Sequence, residues 1–325
     1  MVDRPEIDAV VTWVDGNDPV IIKKRNEFLS VNKTHEISTG KDQTRFTDNG
    51  EIYYCLKSIR KFAPWIRQIH LVTDNQKPDF LTSEFMETHK IRLVSHKEIF
   101  KDYPSALPTF NTRTIESGFI NIEGLSPYFI YFNDDFILTG DVQPEDFFRD
   151  GKPVLRGQFQ NIIHYGAFRV WLNHILTLGL QKLLGITRSM HLLLQVRSAQ
   201  LAGFDKYYYR SPHVPHPVMK KTLTDFVEKN PDLYENNLKY KFRSTEQFSA
   251  IFLANHLEVK KNNAIITDAD DALTINGEMM LLFMLKRKLT QISRDNIKFL
   301  CMQAFEKLNK REQQFLKSYL DRLVD

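Results

Sequence analysis

From Leu107 to Leu138 the chain reads LPTFNTRTIESGFINIEGLSPYFIYFNDDFIL, and no other segment constrains the fold as much. A helix carrying a lone acid, Glu116, gives way to a short turn. An apolar strand at 129–132 follows and opens directly onto Asn133-Asp134-Asp135. Such a strand belongs in a buried sheet. Open α/β sheets hold their ligands outside the carboxyl ends of the strands. An amide and two adjacent carboxylates at that end therefore mark a candidate site, with donors that suit Mg²⁺ held against a diphosphate. The alternative is a plain strand-ending turn, since Asn and Asp favour turns.

The first 140 residues alternate strand and helix throughout. Residues 8–14 (DAVVTWV) predict a buried strand that leaves into Asp15-Gly16-Asn17-Asp18-Pro19, a run dense in turn formers. The polar span 32–44 reads as a loop. Asp48 and Glu51 predict a capping box for a helix with Ile52, Leu56 and Ile59 on one face. Residues 69–73 (IHLVT) predict a strand ending in Asp74-Asn75-Gln76, and 91–94 a strand ending in Ser95-His96. The alternation predicts a Rossmann-like, right-handed α/β fold, its mostly parallel sheet flanked by helices and its polar exits lining one crevice. Neither the G-x-G-x-x-G fingerprint nor the P-loop is present, so a phosphate bound here must be held by side chains and metal.

Past residue 150 the character changes. Residues 169–194 are Leu-rich and basic, interrupted by Gly179 and Gly185; they read first as core helices and second as a membrane-surface or acceptor-docking element. The run YYYRSPHVPHP at 207–217 must be extended. Helices are predicted at 220–228, 245–255, 279–289 and 295–323, giving a mainly helical C-terminal half. The acidic run at 268–271 reads as a solvated turn.

Composition excludes several classes. At 325 residues and 42% hydrophobic, with 24 Phe against 13 Gly, the chain can bury a large core and is not a linker-rich protein. Cys55 and Cys301 are too far apart in sequence to form a metal-spaced pair, and a reducing compartment is expected. Neither a secretory leader nor an apolar run of about 18 residues is visible. A net charge of +4 suits anionic substrates or an anionic membrane face and is too weak to imply nucleic acid.

Two further clusters bear chemistry. His213 and His216 lie in Pro212-His-Val-Pro-His-Pro217, where prolines stiffen the backbone that presents them. Each could act as a general base or bind a phosphate oxygen, or be an ordinary loop histidine. Arg243, within Lys241-Phe-Arg-Ser-Thr-Glu246, precedes a predicted helix that Ser244 or Thr245 could cap; an arginine there makes a bidentate anion clamp or faces solvent. Arg45 carries the same pair of readings.

These segments together resemble the Stealth family of sugar-1-phosphate transferases, which includes bacterial capsule polymerases and the animal GlcNAc-1-phosphotransferase. IDAVVTWVDGNDP at 7–19 is similar to its first conserved region. Residues 45–78 and 107–138 are similar to the second, and 210–250, with the HxPH element and KFRS, to the third. The fourth region, Cys-x-Asn-Asp in the family, reads Cys301-Met302-Gln303-Ala304 here, so no role is carried over to it.

The resemblance implies a GT-A-like, nucleotide-sugar-binding half at 1–150 and a second half at 151–325 that completes one catalytic unit. It implies Glu116, Asp135, His213 and Arg243 as catalytic residues, and Asp134 with Asp135 as ligands of Mg²⁺ or Mn²⁺. Asp15, Asn17, Asp18, Arg45, Asp48, Asn49, Asn75, Asn133, His216 and Lys241 are the implied substrate contacts. The implied reaction moves a hexose-1-phosphate, most plausibly GlcNAc-1-phosphate, from a UDP-sugar to a glycan hydroxyl and releases UMP. The low cysteine content and missing anchor favour the bacterial branch, acting at the cytoplasmic membrane face on a capsule or cell-wall glycan. Two rivals stay open: a metal-dependent hexosyltransferase that releases UDP, and a non-catalytic glycan-binding scaffold.

Overall fold

The computed structural model describes residues 5–31, 49–162, 191–244 and 246–325. Arg45, Asp48, the 32–44 span and most of the Leu-rich 169–194 segment lie outside these residues.

Four parallel strands form the centre: β1 (Ile7–Thr12), β2 (Ile69–Thr73), β3 (Ile91–Ser95) and β4 (Tyr128–Asn133). A fifth strand, His216–Met219, lies antiparallel to β4 at the edge, giving the spatial order His216–Met219, β4, β1, β2, β3. The chain runs outward from β1 to β3 and then returns to the other side of β1 as β4. The direction of winding therefore reverses between β1 and β4, and the carboxyl ends of these two strands flank the place where such sheets bind ligands.

The strands read as apolar because both faces are covered. Alternate side chains point to opposite faces. Ala9, Val11, Ile130 and Phe132 pack with Ile52, Cys55, Leu56 and Ile59 of the helix α2 (Glu51–Phe62). Val10, Phe129 and Tyr131 pack on the other face with Phe119, Leu223, Leu238 and Ile251. The predicted apolar face of α2 is thus buried. Its N-cap, however, is Gly50, whose φ of 93° suits a residue without a Cβ, and Glu51 accepts the Asn49 backbone N–H at 2.7 Å.

The second half is helix-rich, as expected, with several strands among the helices. Residues 295–323 do not form one helix: Phe299–Gln303 is a strand and the final helix is Lys310–Val324. Four consecutive buried residues, Phe299 to Met302, look alike as helix or strand when periodicity is the only guide. That strand pairs in parallel with Ala272–Asn276 and antiparallel with β5 (Phe136–Leu138), forming a second sheet. The chain therefore leaves the main sheet at Asn133, turns through Asp134 and Asp135, and enters the second sheet at Phe136.

Candidate active site

Asp135 is fixed at this seam by its backbone, whose carbonyl accepts from Met302 N–H at 2.9 Å. Cys301, paired in register with Phe136, places its Sγ 3.4 Å from Asp135 Oδ2. The other carboxylate oxygen, Oδ1, is shut from solvent and has no hydrogen-bond partner among the described residues. Burial pushes the Asp135 carboxyl above the usual range, against the pull of His213 and the Cys301 thiol.

His213 arrives from the edge strand. Because His216–Met219 runs antiparallel to β4 and His216 pairs with Tyr131, the residues just before it lie beside the end of β4. His213 Nε2 stands 3.3 Å from Asn133 Nδ2, and its ring meets Phe136 edge to face at 4.9 Å. Asn133 Oδ1 takes the Tyr131 hydroxyl at 2.5 Å, which turns the amide N–H₂ toward the imidazole. Burial holds the His213 pKa below its usual value, opposed by Asp135, so the ring is neutral at pH 7 and able to accept a proton.

Glu116 and Arg243 come from the opposite wall. The helix Thr112–Ser117 is N-capped by Asn111, whose side-chain amide also donates to the carbonyls of Tyr240 and Phe242 and to Gln247 Oε1. Arg113 adds a bond to the Ser244 carbonyl. These contacts hold the 240–247 loop against the helix start, where Arg243 Nη2 reaches Thr112 Oγ1 at 3.3 Å. One turn on, Glu116 accepts from Ser249 Oγ at 2.7 Å. Its pKa is raised to about 6 by burial, with Arg113 and Arg243 opposing. Arg243 lies close enough to Glu116, Tyr131 and His213 to act on the charge of each. Tyr131 also feels Asp134, which makes it the link between the two walls.

The remaining predicted contacts occupy varied places. Asp18 caps the helix α1 (Pro19–Val31) by accepting Val20 N–H at 2.8 Å, and Asp15 Oδ1 accepts Asn17 N–H at 2.8 Å. Both acids are tied to the β2 exit by Gln76, which accepts from Asp15 N and donates to Asp15 O and Asp18 Oδ2. Asn75 is exposed in a left-handed turn, φ 60°. His216 lies in the core with its ring edge on Phe252; burial takes its pKa down to about 3. Lys241 reaches back to the Ser105 carbonyl. Among the described residues neither His216 nor Lys241 is one of the donors gathered at Asp135, although His213 is close enough to act on the charge of His216.

Sequence reasoning missed three participants. Gln76 carried no motif, Tyr131 looked like one more core aromatic, and Cys301 lies 166 residues from Asp135. Cys55 approaches the same turn from α2, its Sγ 3.6 Å from the Asn133 carbonyl. The two cysteines thus flank one acidic turn.

The residues fit a divalent cation, because Asp135 carries a buried carboxylate oxygen without a hydrogen-bond partner among the described residues, and a second acid, Asp134, precedes it in sequence. The donors gathered at Asp135 do not single out magnesium, since they include a thiol and an imidazole.

A mostly parallel α/β sheet whose winding reverses between β1 and β4 has the topology in which such domains bind ligands at the strand ends. Comparison with known proteins narrows this. Residues 5–30 match the model of Stealth protein CR1, conserved region 1, and residues 45–155 that of Stealth protein CR2, conserved region 2. The receptor polysaccharide phosphotransferase WefC of Streptococcus oralis is 34% identical over 260 residues, covering 74% of each chain. The chain belongs to the Stealth family.

The capsular polysaccharide phosphotransferase of Actinobacillus suis is 43% identical over 147 residues, 45% of this chain and 38% of that one. The exopolysaccharide phosphotransferase SCO2594 of Streptomyces coelicolor is 45% identical over 142 residues, 44% of this chain and 22% of that one. The chain therefore spans well under half the length of these two relatives. Among solved structures, the galactosyltransferase LgtC aligns with 98% of this chain and 95% of its own at 12% identity, with a TM-score of 0.41.

Proposed function

We propose that this chain transfers a hexose-1-phosphate, GlcNAc-1-phosphate in the form its family suggests, from a UDP-sugar to a hydroxyl of a growing capsule or cell-wall glycan. The acceptor oxygen attacks the β-phosphorus and the bond from that phosphorus to the bridging oxygen breaks. UMP leaves with the electron pair, and the sugar–phosphate bond stays intact. Relatives named as capsular and receptor polysaccharide phosphotransferases support the reaction class.

One relationship supports the reading: His213 stands 3.3 Å from Asn133 at the end of β4 and close enough to Asp135 and Arg243 for each to act on its charge, and Arg243 is coupled in the same way to Glu116. His213 takes the acceptor proton. Arg243 stabilises charge on the phosphoryl group in flight, which is where fixed positive charge does most for this reaction. Glu116 orients Arg243 and meets the sugar. Asp15, Asn17, Asp18 and Asn75 form the rim on the nucleotide side. Asp134 and Asp135 would hold Mg²⁺ or Mn²⁺, which when bound screens the negative charge of the diphosphate.

The test is to incubate the purified protein with UDP-GlcNAc, Mg²⁺ and glycan acceptors and identify the nucleotide released. UMP supports the proposal. UDP would establish plain glycosyl transfer, and no nucleotide release would leave a binding role.

Attachment to the cytoplasmic face of the membrane is part of the same proposal. Among the described residues no helix is long and apolar enough to cross a bilayer. Leu281 (57% exposed) and Phe283 (69% exposed) project at the start of the helix Leu282–Arg294, next to the exposed cations Lys286 and Arg287. Apolar insertion beside basic residues suits an anionic lipid surface. Co-sedimentation with vesicles containing phosphatidylglycerol, lost in Leu281→Ser with Phe283→Ser, would support this; unchanged sedimentation would refute it.

A further inference from the structure

The geometry points to a binding site for a thiophilic divalent cation of the Zn²⁺ class, formed by Asp135, His213 and Cys301. One donor atom from each lies within 4.8 Å of the other two. For a tetrahedral ion with a metal–sulfur distance of about 2.3 Å and a metal–oxygen distance of about 2.0 Å, the sulfur–oxygen edge is about 3.5 Å. Cys301 Sγ and Asp135 Oδ2 stand 3.4 Å apart, so this edge already has its liganded length.

A second observation is independent of that spacing. Asp135 Oδ1 is enclosed and bonded to no donor among the described residues, so the carboxylate is short of a positive partner, which a cation at its other oxygen, Oδ2, would supply. The three side chains also come from rigid backbone. Asp135 is pinned by the Met302 N–H, Cys301 sits in the ladder with β5, and His213 is flanked by Pro212 and Pro215. Ligands fixed in this way lose little freedom on binding.

The donor set decides the class of ion. One thiolate, one imidazole and one carboxylate favour zinc or cobalt over magnesium, which prefers oxygen alone. Three protein ligands leave the fourth tetrahedral position open. On binding, the sulfur–metal bond forms and the thiol proton passes to solvent. An ion held here takes up the imidazole and the carboxylate assigned to phosphoryl transfer, so occupancy inhibits that reaction. The binding itself does not depend on the phosphotransferase reading.

Absorbance during Co²⁺ titration of metal-free protein tests this. One equivalent should produce a near-ultraviolet thiolate-to-cobalt band and tetrahedral visible bands, both abolished by Zn²⁺ and unaffected by excess Mg²⁺. Cys301→Ser should lose the near-ultraviolet band and weaken Zn²⁺ binding by at least about 10–100-fold, since even supporting residues cost that much. Cys55→Ser should keep the band. Asp135→Asn should keep the sulfur band while binding more weakly, which provides a reading if the Cys301 variant fails to fold. No band in the parent protein, a band surviving Cys301→Ser, or a band lost in Cys55→Ser overturns the site. None of these results bears on whether UMP is released.

Discussion

The Asn133 amide nitrogen and His213 Nε2 lie 3.3 Å apart across 80 residues of sequence, joining the end of β4 to the loop that enters the edge strand. Because Tyr131 fills Asn133 Oδ1, the amide can only donate to the imidazole, which favours the neutral ring. Asn133→Asp replaces that donor with a carboxylate and should raise the His213 pKa by about 1–3 units. The acidic limb of the pH–rate profile moves to higher pH by the same amount. An unmoved limb would remove His213 from the proton-transfer role.

Glu116 offers a stability signature. Its folded pKa of about 6 stands above the ordinary 4.5, so burial penalises its charged form. The associated stability is therefore present below pH 4.5 and is lost as pH rises through 6, a loss of about 2 kcal/mol. His213 and His216, both depressed, contribute with the opposite slope. The difference between the parent and Glu116→Gln isolates the acid. Urea unfolding should show the variant gaining about 2 kcal/mol on the parent between pH 4.5 and 7.

Arg243→Ala should lower turnover by about 10²–10³ while leaving the fold intact, since among the described residues the arginine side chain makes one hydrogen bond, the 3.3 Å contact with Thr112. Arg243→Lys should recover little, because an ammonium cannot present two parallel N–H donors to a phosphate. Circular dichroism and steady-state rates together check both variants; turnover within a few-fold of the parent would dismiss the residue.

Gln76→Ala removes the bonds that tie the β1 exit to the β2 exit. Stability should fall by about 1–3 kcal/mol, and the KM for the UDP-sugar should rise with little change in kcat. The Asp18 carboxyl, held low chiefly by Gln76, should return toward its ordinary range. A change confined to kcat would contradict a positioning role at the nucleotide rim.

The parallel core was legible because strands covered on both faces are mostly apolar, as at 9–11 of β1, 71–72 of β2 and 129–132 of β4, with Asp8 and His70 as buried polar residues within β1 and β2. The edge strand His216–Met219 was not, since prolines at 212, 215 and 217 describe an extended segment without saying which strand it joins. The helix expected at 245–255 begins instead at Ala250, capped by Ser249, whose hydroxyl also serves Glu116. Local capping rules could propose Ser244 or Thr245; only the long-range acid selects Ser249. Cys301 shows the same limit. Its meeting with Asp135 depends on β5 crossing between sheets, and no spacing rule encodes that.

That crossing has a practical outcome. The backbone of Asp135 is gripped by a sheet whose outer helix, Lys310–Val324, is itself fastened to α2 through Tyr54 and Asp321 at 2.7 Å. Strain applied to the carboxyl-terminal helix, by a fusion partner or a crosslink, is thus transmitted along one hydrogen-bonded strand to the acid at the reaction centre. Alterations some 185 residues downstream in the chain should register there sooner than changes at the nearer, separately anchored β3.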